Sequence, residues 1–511
     1  MSEGNFHLLK SKLLPTVKQT LANYKKNRFV RRARLVSFQV SLEERKKSFF
    51  RQNRWRYSRK AKGLIVFTVV AVMLVSIFAF LPKQNETKDI ILKTSDNSTI
   101  STPEPINETT NNQTRTSDIP SGLAQARAQV VAPTSEPKQP GVIASAQTIN
   151  SDVWLQVAAN AWKYFQPGLG VDSTTGLPYS NSPVFTDWDL GVYIQAVIDA
   201  RKIGLIDTEG DWGFNARMDK VLTFLENRTL NPYNYPYWFY QATNGENYPE
   251  LSDKASTPYD GVDTGRLFVA LNNVRVYNSS WATRINNFVY NVYGNRSDYA
   301  AIISNIKSDV LSSTSIYAYY VYSGFASFWP NNLTNVQSTI LKNIFLAGNT
   351  TTPEGVLLPK AEITGDPLLC SVFELNNTDS RLLTLAHQVY LAHEAYYNDT
   401  GNYRAFSEGP SMSGGWEYEW VVLPDGRTWT IDESNSNTSP IIYSKVALSF
   451  LAIYNTTYAK NMSIYLENTL PEPSIGYCEG VDESGQKLER VGSNTNSLIL
   501  DAALYAIQNN S

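Results

Sequence analysis

Thr186-Asp187-Trp188-Asp189-Leu190-Gly191-Val192-Tyr193-Ile194 opens the stretch that decides how this chain folds, and its apolar positions run on through Val197, Ile198 and Ile203. Leu190, Ile194, Val197 and Ile198 recur at intervals of three and four, as expected for one helical face directed at a core. Thr186 with Asp189 three positions on forms a capping-box-like pair for the helix start, and the acids suit the positive end of the helix dipole. The same spacing predicts helices over 152–165, 187–204, 213–226, 262–276, 280–293, 298–311, 315–328, 333–346, 379–397, 440–454, 459–468 and 495–508. One region departs from it. Trp416–Leu423 and Arg427–Ile431 alternate on either side of Pro424-Asp425-Gly426, a β-hairpin signal. A dozen helices in about 360 residues, without a short sequence repeat, point to paired helices closed into a ring rather than an open solenoid. The expected class is all-α with a small β-hairpin insertion.

Upstream the character changes. Gly63–Leu81 carries no charge, and at about 1.5 Å per residue these residues span roughly 28 Å, the hydrocarbon thickness of a bilayer. Residues 1–62 hold 18 Lys or Arg against 3 Glu; the rest of the chain holds 27 basic residues against 44 acidic ones. All 15 Asn-x-Ser/Thr sequons also follow the run. Both asymmetries give one topology: N-terminus cytoplasmic, a single-pass signal anchor at 63–81 in the plasma membrane, and a large extracellular domain. The basic segment would lie on anionic lipid, and no nucleic-acid partner is expected despite its Arg and aromatic content. Residues 82–150 contain no aromatic residue, are rich in Ser, Thr, Asn and Pro, and read as a disordered, glycosylated stem. The folded domain is placed at 151–511, which holds 10 of the 11 tryptophans.

The sequence also narrows the chemistry. It contains no glycine-rich phosphate loop, no Gly-x-Ser-x-Gly elbow and no Cys-x-x-Cys. His387 and His393 are six apart, which is not a ligand spacing on one helical face, so they read as ordinary helix residues. No metal and no cofactor are expected. Cys370 and Cys478 lie on the oxidising side, where a disulfide between them is permitted. Acid–base work then falls to carboxylates, and four groups stand out: Asp187 and Asp189 around Trp188; Asp260 and Asp263 near Tyr259 and Arg266; Glu417 and Glu419 on one face of the hairpin strand, opposite Trp416; and Glu479 in a glycine-flanked turn. Two carboxylates with aromatic platforms are what glycosidic cleavage requires. Neighbouring like charges raise each other's pKa, which suits Glu417 or Glu419 to the role of general acid.

TDWDLGVYIQAVIDARKIGLI (186–206), VDTGRLFVAL (262–271), WEYE (416–419), YSKVALSFLAIYNTTYAKNM (443–462), GYCEG (476–480) and NTNSLILDAAL (494–504) follow one another in order. This series resembles the glucoamylase-like domain-of-unknown-function family 3131 of bacterial and archaeal envelope proteins. The resemblance implies an (α/α)6 toroid in which the loops entering the inner helices form a cavity mouth. It would bring Asp187, Asp189, Asp260 and Asp263 onto one rim with the hairpin carboxylates, and Trp188, Trp238, Tyr259 and Trp416 would serve as sugar platforms. Trp238–Gly245 is also similar to a pattern in glucan-cleaving toroid enzymes, but Phe239-Tyr240-Gln241 lacks their histidine.

The expected function is a surface-anchored glycoside hydrolase acting on a poly- or oligosaccharide. Asp189, Asp263, Glu417 and Glu419 are the expected catalytic carboxylates; Asp187, Trp188, Trp238, Tyr259, Asp260, Arg266, Trp416 and Glu479 are the expected substrate contacts. Two readings compete with it. One is a glycan-binding or envelope-structural toroid without catalysis. The other is a polysaccharide lyase in which Arg266 neutralises a uronate.

Overall fold

The computed structural model describes residues 141–180, 182–248, 261–292, 299–375, 379–431 and 439–509. The chain divides into two units, Met1–Ser117 and Asp118–Ser511, and every described residue belongs to the second. The basic segment, the Gly63–Leu81 run and nearly all of the 82–150 stem therefore lie outside the described residues, as do Tyr259 and Asp260. Among the described residues no helix is long and apolar enough to cross a membrane.

Helices alternate between an outer and an inner layer along the chain. Outer α1 (Ser151–Trp162) leads to inner α2 (Asp187–Ile203), and outer α3 (Phe214–Asn227) to inner α4 (Gly261–Tyr277). Two short outer helices, α5 (Ala282–Val289) and α6 (Ala300–Asp309), precede inner α7 (Ile316–Phe328). Outer α8 (Val336–Leu346) is followed by inner α9 (Gly365–Glu374), outer α10 (Ser380–Thr400) by inner α11 (Ser444–Tyr454), and outer α12 (Thr457–Thr469) by inner α13 (Ser493–Asn509). Each inner helix packs on the next and α13 returns to α2, which closes the ring. Outside it, α3, α5, α8, α10, α12 and α1 brace α2, α4, α7, α9, α11 and α13 in turn. The architecture is an (α/α)6 toroid.

The inner helices are enclosed on all sides. In α2 every residue from Asp187 to Ala200 is buried, and in α11 every residue from Ser444 to Ala452. Such burial requires a narrow ring, and glycines provide it. A Cβ at Gly324 in α7 would fall 2.2 Å from the Gly265 carbonyl oxygen of α4, and one at Gly265 would fall 2.6 Å from the Val321 oxygen. Gly191 brings α2 similarly close to the backbone of α4 at Arg266.

The predicted helices match the structure closely, with three departures, the first being that residues 441–443 of the 440–454 helix form a strand and the helix begins at Ser444. The 280–293 helix is shorter, a 3-10 turn at Ser279–Trp281 followed by α5. Inner helix α9 was not expected: it has only 10 residues and carries Pro367, which is tolerated because it lies in the first turn, where no intrahelical N–H bond is lost. The domain is also less purely helical than the sequence implies. β1 (Val184–Phe185) pairs with β2 (Tyr240–Gln241), and β3 (Asn349–Thr351) with β4 (Leu357–Pro359). β5 (Glu408–Pro410), β6 (Trp416–Val422) and β7 (Thr428–Ile431) form a three-stranded sheet whose β6–β7 pair is the predicted hairpin. β8 (Ile441–Tyr443), β9 (Cys478–Asp482) and β10 (Lys487–Val491) form another. All these strands lie in connections from an outer helix to the next inner one, so they gather at the end of the ring where the inner helices begin.

Alanine at Gly324 has to part the α4 and α7 backbones. Gly324→Ala should lower unfolding free energy by about 1–3 kcal/mol or more, read from denaturant midpoints, with Gly191→Ala costing less because its nearest contact is 3.0 Å.

Candidate active site

The six inner helices present their first turns to one another at the strand-covered end, and their unsatisfied N–H groups and dipoles favour negative charge there. α2 begins with a complete capping box. Thr186 Oγ1 accepts from the Trp188 and Asp189 amides, and Asp189 Oδ2 accepts from the Thr186 amide at 3.0 Å. Its other oxygen accepts from Ser493 Oγ at 3.4 Å, and Trp188 Nε1 donates to Asn494 Oδ1 at 3.1 Å, so the first turns of α2 and α13 are tied side by side. Burial pushes the Asp189 carboxyl up to about 6 against the pull of these hydrogen bonds.

Across the mouth, the buried Lys445 of α11 forms an ion pair with Asp366 of α9 and donates to the Glu408 carbonyl oxygen at 2.8 Å. Burial works against its ammonium, but Asp366, Glu479 and Glu408 outweigh that and hold it above its ordinary value. Glu408 sits opposite Tyr418 in the β5–β6 register, and opposed residues share a sheet face. That face meets the ring. Tyr317 of α7 packs at 6.3 Å from Tyr418, 5.9 Å from Trp420 and 6.3 Å from Trp188, while Trp416 Nε1 lies 3.5 Å from Glu408 Oε2. Burial and neighbouring Asp366 push the Glu408 carboxyl up to about 7, against the opposing Lys445. Glu479, at the start of β9, accepts from Thr495 Oγ1 of α13; burial raises its carboxyl and Lys445 opposes the rise. The result is an aromatic shelf of Trp188, Tyr317, Trp416, Tyr418 and Trp420 over carboxylates of unequal proton affinity.

The profile of the family described as "Protein of unknown function (DUF3131)" matches residues 156–509. The chain belongs to that family. No functionally curated protein matches this DUF3131 member. Its fold is similar to that of a candidate glucoamylase from Bacteroides caccae, at 14% identity and a TM-score of 0.50, over 70% of this chain and 94% of that one. Endo-β-1,2-glucanases from Chitinophaga pinensis (13% identity, TM-score 0.47, 71% and 94% covered) and Talaromyces funiculosus (10%, 0.48, 73% and 89%) are also similar in structure. At such identities the likeness is one of fold, a glucoamylase-like helical toroid.

Of the residues singled out from sequence, this DUF3131 member brings Asp189, Trp188, Trp416 and Glu479 together at the mouth. Asp263 is half-buried in the first turn of α4, at the same end of the ring. Trp238 is 40% exposed on the loop leading into β2, which β1 holds beside the start of α2. Four assignments are corrected. Asp187 is buried in a two-pronged ion pair with Arg228, Nη2 to Oδ2 at 3.2 Å, which commits it to holding α2 against the end of α3. Arg266 is buried inside the ring, paired with Glu374 of α9 and the Tyr320 hydroxyl, instead of standing exposed at the mouth. Glu417 and Glu419 do share a face of β6, but it is the face away from Tyr317 and Trp188. Both are buried there; Glu419 Oε1 accepts from the Ile441 amide at 2.6 Å, and burial holds the Glu419 carboxyl well above its usual range. No disulfide joins Cys370 and Cys478. The Cys370 thiol donates to Asp366 Oδ1 one turn back, and the Cys478 thiol to the Glu489 carbonyl across β9 and β10.

Sequence reasoning missed Glu408, Asp366, Lys445 and Tyr317. One signal was present: Lys445 is the lone charge in an otherwise apolar helix, and a buried lysine requires a carboxylate partner. His393 is an ordinary helix residue as expected; its ring lies between the Val389 carbonyl and the Phe406 amide, and burial lowers it to about 4.

Asp189 and Glu408 hold protons in the folded chain that the unfolded chain has already released at mildly acidic pH. Stability should therefore fall as pH rises through about 6 and then about 7, measured by denaturation at constant ionic strength. Lys445→Met strands buried Asp366 and should cost about 3–5 kcal/mol.

Proposed function

We propose that this chain is a glycoside hydrolase that cleaves a neutral or weakly charged envelope or extracellular glycan while held at the cell surface by Gly63–Leu81. The observation that carries this reading is the pairing of Glu408, pushed up to about 7, with Asp366, held as an ion pair by Lys445, beneath an aromatic shelf. A carboxyl whose surroundings raise its proton affinity is suited to the acid role, with a neighbouring carboxylate as its partner. Glu408, protonated at neutral pH and below, donates to the glycosidic oxygen as the bond breaks. Asp366, paired with Lys445, attacks the anomeric carbon or activates water against it. Trp188, Tyr317, Trp416 and Tyr418 offer ring faces to the apolar C–H faces of the sugars. The charge asymmetry of the chain supports a cytoplasmic N-terminus, with residues 1–62 against anionic lipid and the toroid outside.

One observation favours a second reading, a toroid that binds glycan without cleaving it. Both oxygens of Asp189 are engaged, and Glu408, Asp366 and Glu479 are each nearly inaccessible. A binding protein would show saturable affinity for a glycan without releasing new reducing ends.

Reducing-end release by the full chain in detergent, across a panel of polysaccharides, separates the two. Glu408→Gln should lose roughly 10²–10⁴-fold in rate, whereas Glu419→Gln, on the far face of β6, should keep most activity. The rate should also fall as pH rises through about 7, where Glu408 loses its proton. Full activity of Glu408→Gln on a cleaved glycan would remove Glu408 from the mechanism.

A further inference from the structure

Seven of the sequons fall on described residues, and one of them, Asn332-Leu333-Thr334, has surroundings suited to a bound sugar. It follows the C-terminus of α7, which is 13 residues long, so it lies about 20 Å along the helix from Tyr317 at the mouth. The chain turns tightly here. The amides of Asn332 and Leu333 both donate to the Trp329 carbonyl, at 3.0 and 2.9 Å, so Asn332 and Trp329 sit at the two ends of one turn. Asn332 is exposed and lines an open groove with Tyr290, Trp329, Ser304 and Lys307.

The aromatic wall of that groove is firmly held. The Tyr290 hydroxyl donates to the Phe328 carbonyl at 2.6 Å, and its ring meets Trp329 edge-on at 5.7 Å. Trp329 in turn is stacked against Phe325. Tyr290 is nevertheless 43% exposed among the described residues. Ser304, Lys307 and Asn332 supply hydrogen-bonding groups beside it. An apolar ring face bordered by donors and acceptors is matched to a pyranose, which has C–H bonds on one face and hydroxyls at its edge.

We propose that Asn332 is a modification site and that the first sugars of its N-linked glycan fold back into this groove against Tyr290 and Trp329. The occupant is attached to the groove it fills, because Asn332 is part of the lining. The tight turn fixes where the glycan begins, so little freedom remains to be lost when it docks. Its place at the opposite end of α7 keeps it clear of the mouth. The inference is independent of any catalytic role for Glu408.

The test uses the full chain produced in a host that glycosylates secreted proteins, with occupancy of each sequon read by glycopeptide mass spectrometry. Asn332 should be modified, and Thr334→Ala, which destroys the sequon without touching the groove, should lose that one glycan. The melting temperature of Thr334→Ala should fall below that of the parent by about 2 °C. Tyr290→Ala should keep the glycan but abolish the difference that Thr334→Ala makes. An unmodified Asn332 overturns the proposal, whatever the state of the other sequons. A modified Asn332 whose loss leaves the melting temperature unchanged overturns the docking.

Discussion

Where α4 passes α7, no side chain separates the two backbones. Gly265 and Gly324 approach so closely that a single methyl group on either would meet main-chain atoms of the other helix, and Gly191 repeats the arrangement between α2 and α4. A ring of six helices spaced by leucine-sized side chains would be wider at its centre. Here it is drawn in on one side, and the first turns of its inner helices meet as a patch instead of a rim. That convergence is why residues from α2, α7, α9, α11 and α13, scattered over some 300 positions, act on one another.

Convergence of helix N-termini creates an electrostatic demand that the mouth residues answer. Several partially positive ends favour carboxylates, and Asp189, Asp366, Glu408 and Glu479 supply them. So many acids cannot all ionise out of water, and the structure distributes the burden unequally. Lys445 compensates Asp366 directly, while burial and Asp366 itself leave Glu408 holding a proton near neutrality. The Glu374–Arg266 pair shows the same logic deeper in the ring, where an arginine is wholly consumed in balancing an acid. The charges that looked available in the sequence were in part already spent on one another.

What the sequence disclosed followed from periodicity. Leu190, Ile194 and Val197 announced α2, and the alternation around Pro424-Asp425-Gly426 announced the β6–β7 hairpin with its two faces correctly divided. Periodicity does not say which face looks inward. Glu417 and Glu419 were grouped correctly but turned away from the mouth, because the other face of β6 carries the aromatic residues that pack on Tyr317. Glu408 became visible only through its pairing with Tyr418, a register between residues ten apart that no local pattern encodes. α9 was missed because a short helix buried on every side shows no polar stripe. Arg266 and Asp187 failed for one reason: their partners, Glu374 and Arg228, lie 108 and 41 residues away.

Closure of the ring by its last helix has a consequence for how the chain acquires its structure. The bonds that tie α13 to α2 join residues more than 300 apart: Ser497 Oγ to the Val192 carbonyl spans 305 positions, and Trp188 Nε1 to Asn494 spans 306. During synthesis α2 must wait, one side of it uncovered, until almost the whole domain has emerged, because its final neighbour is the last helix of the ring. Contacts of such separation fold slowly and leave apolar surface open to wrong partners meanwhile. The nascent toroid is thus an incomplete arc for most of its existence on the ribosome, and loss of the final 17-residue helix would leave it so.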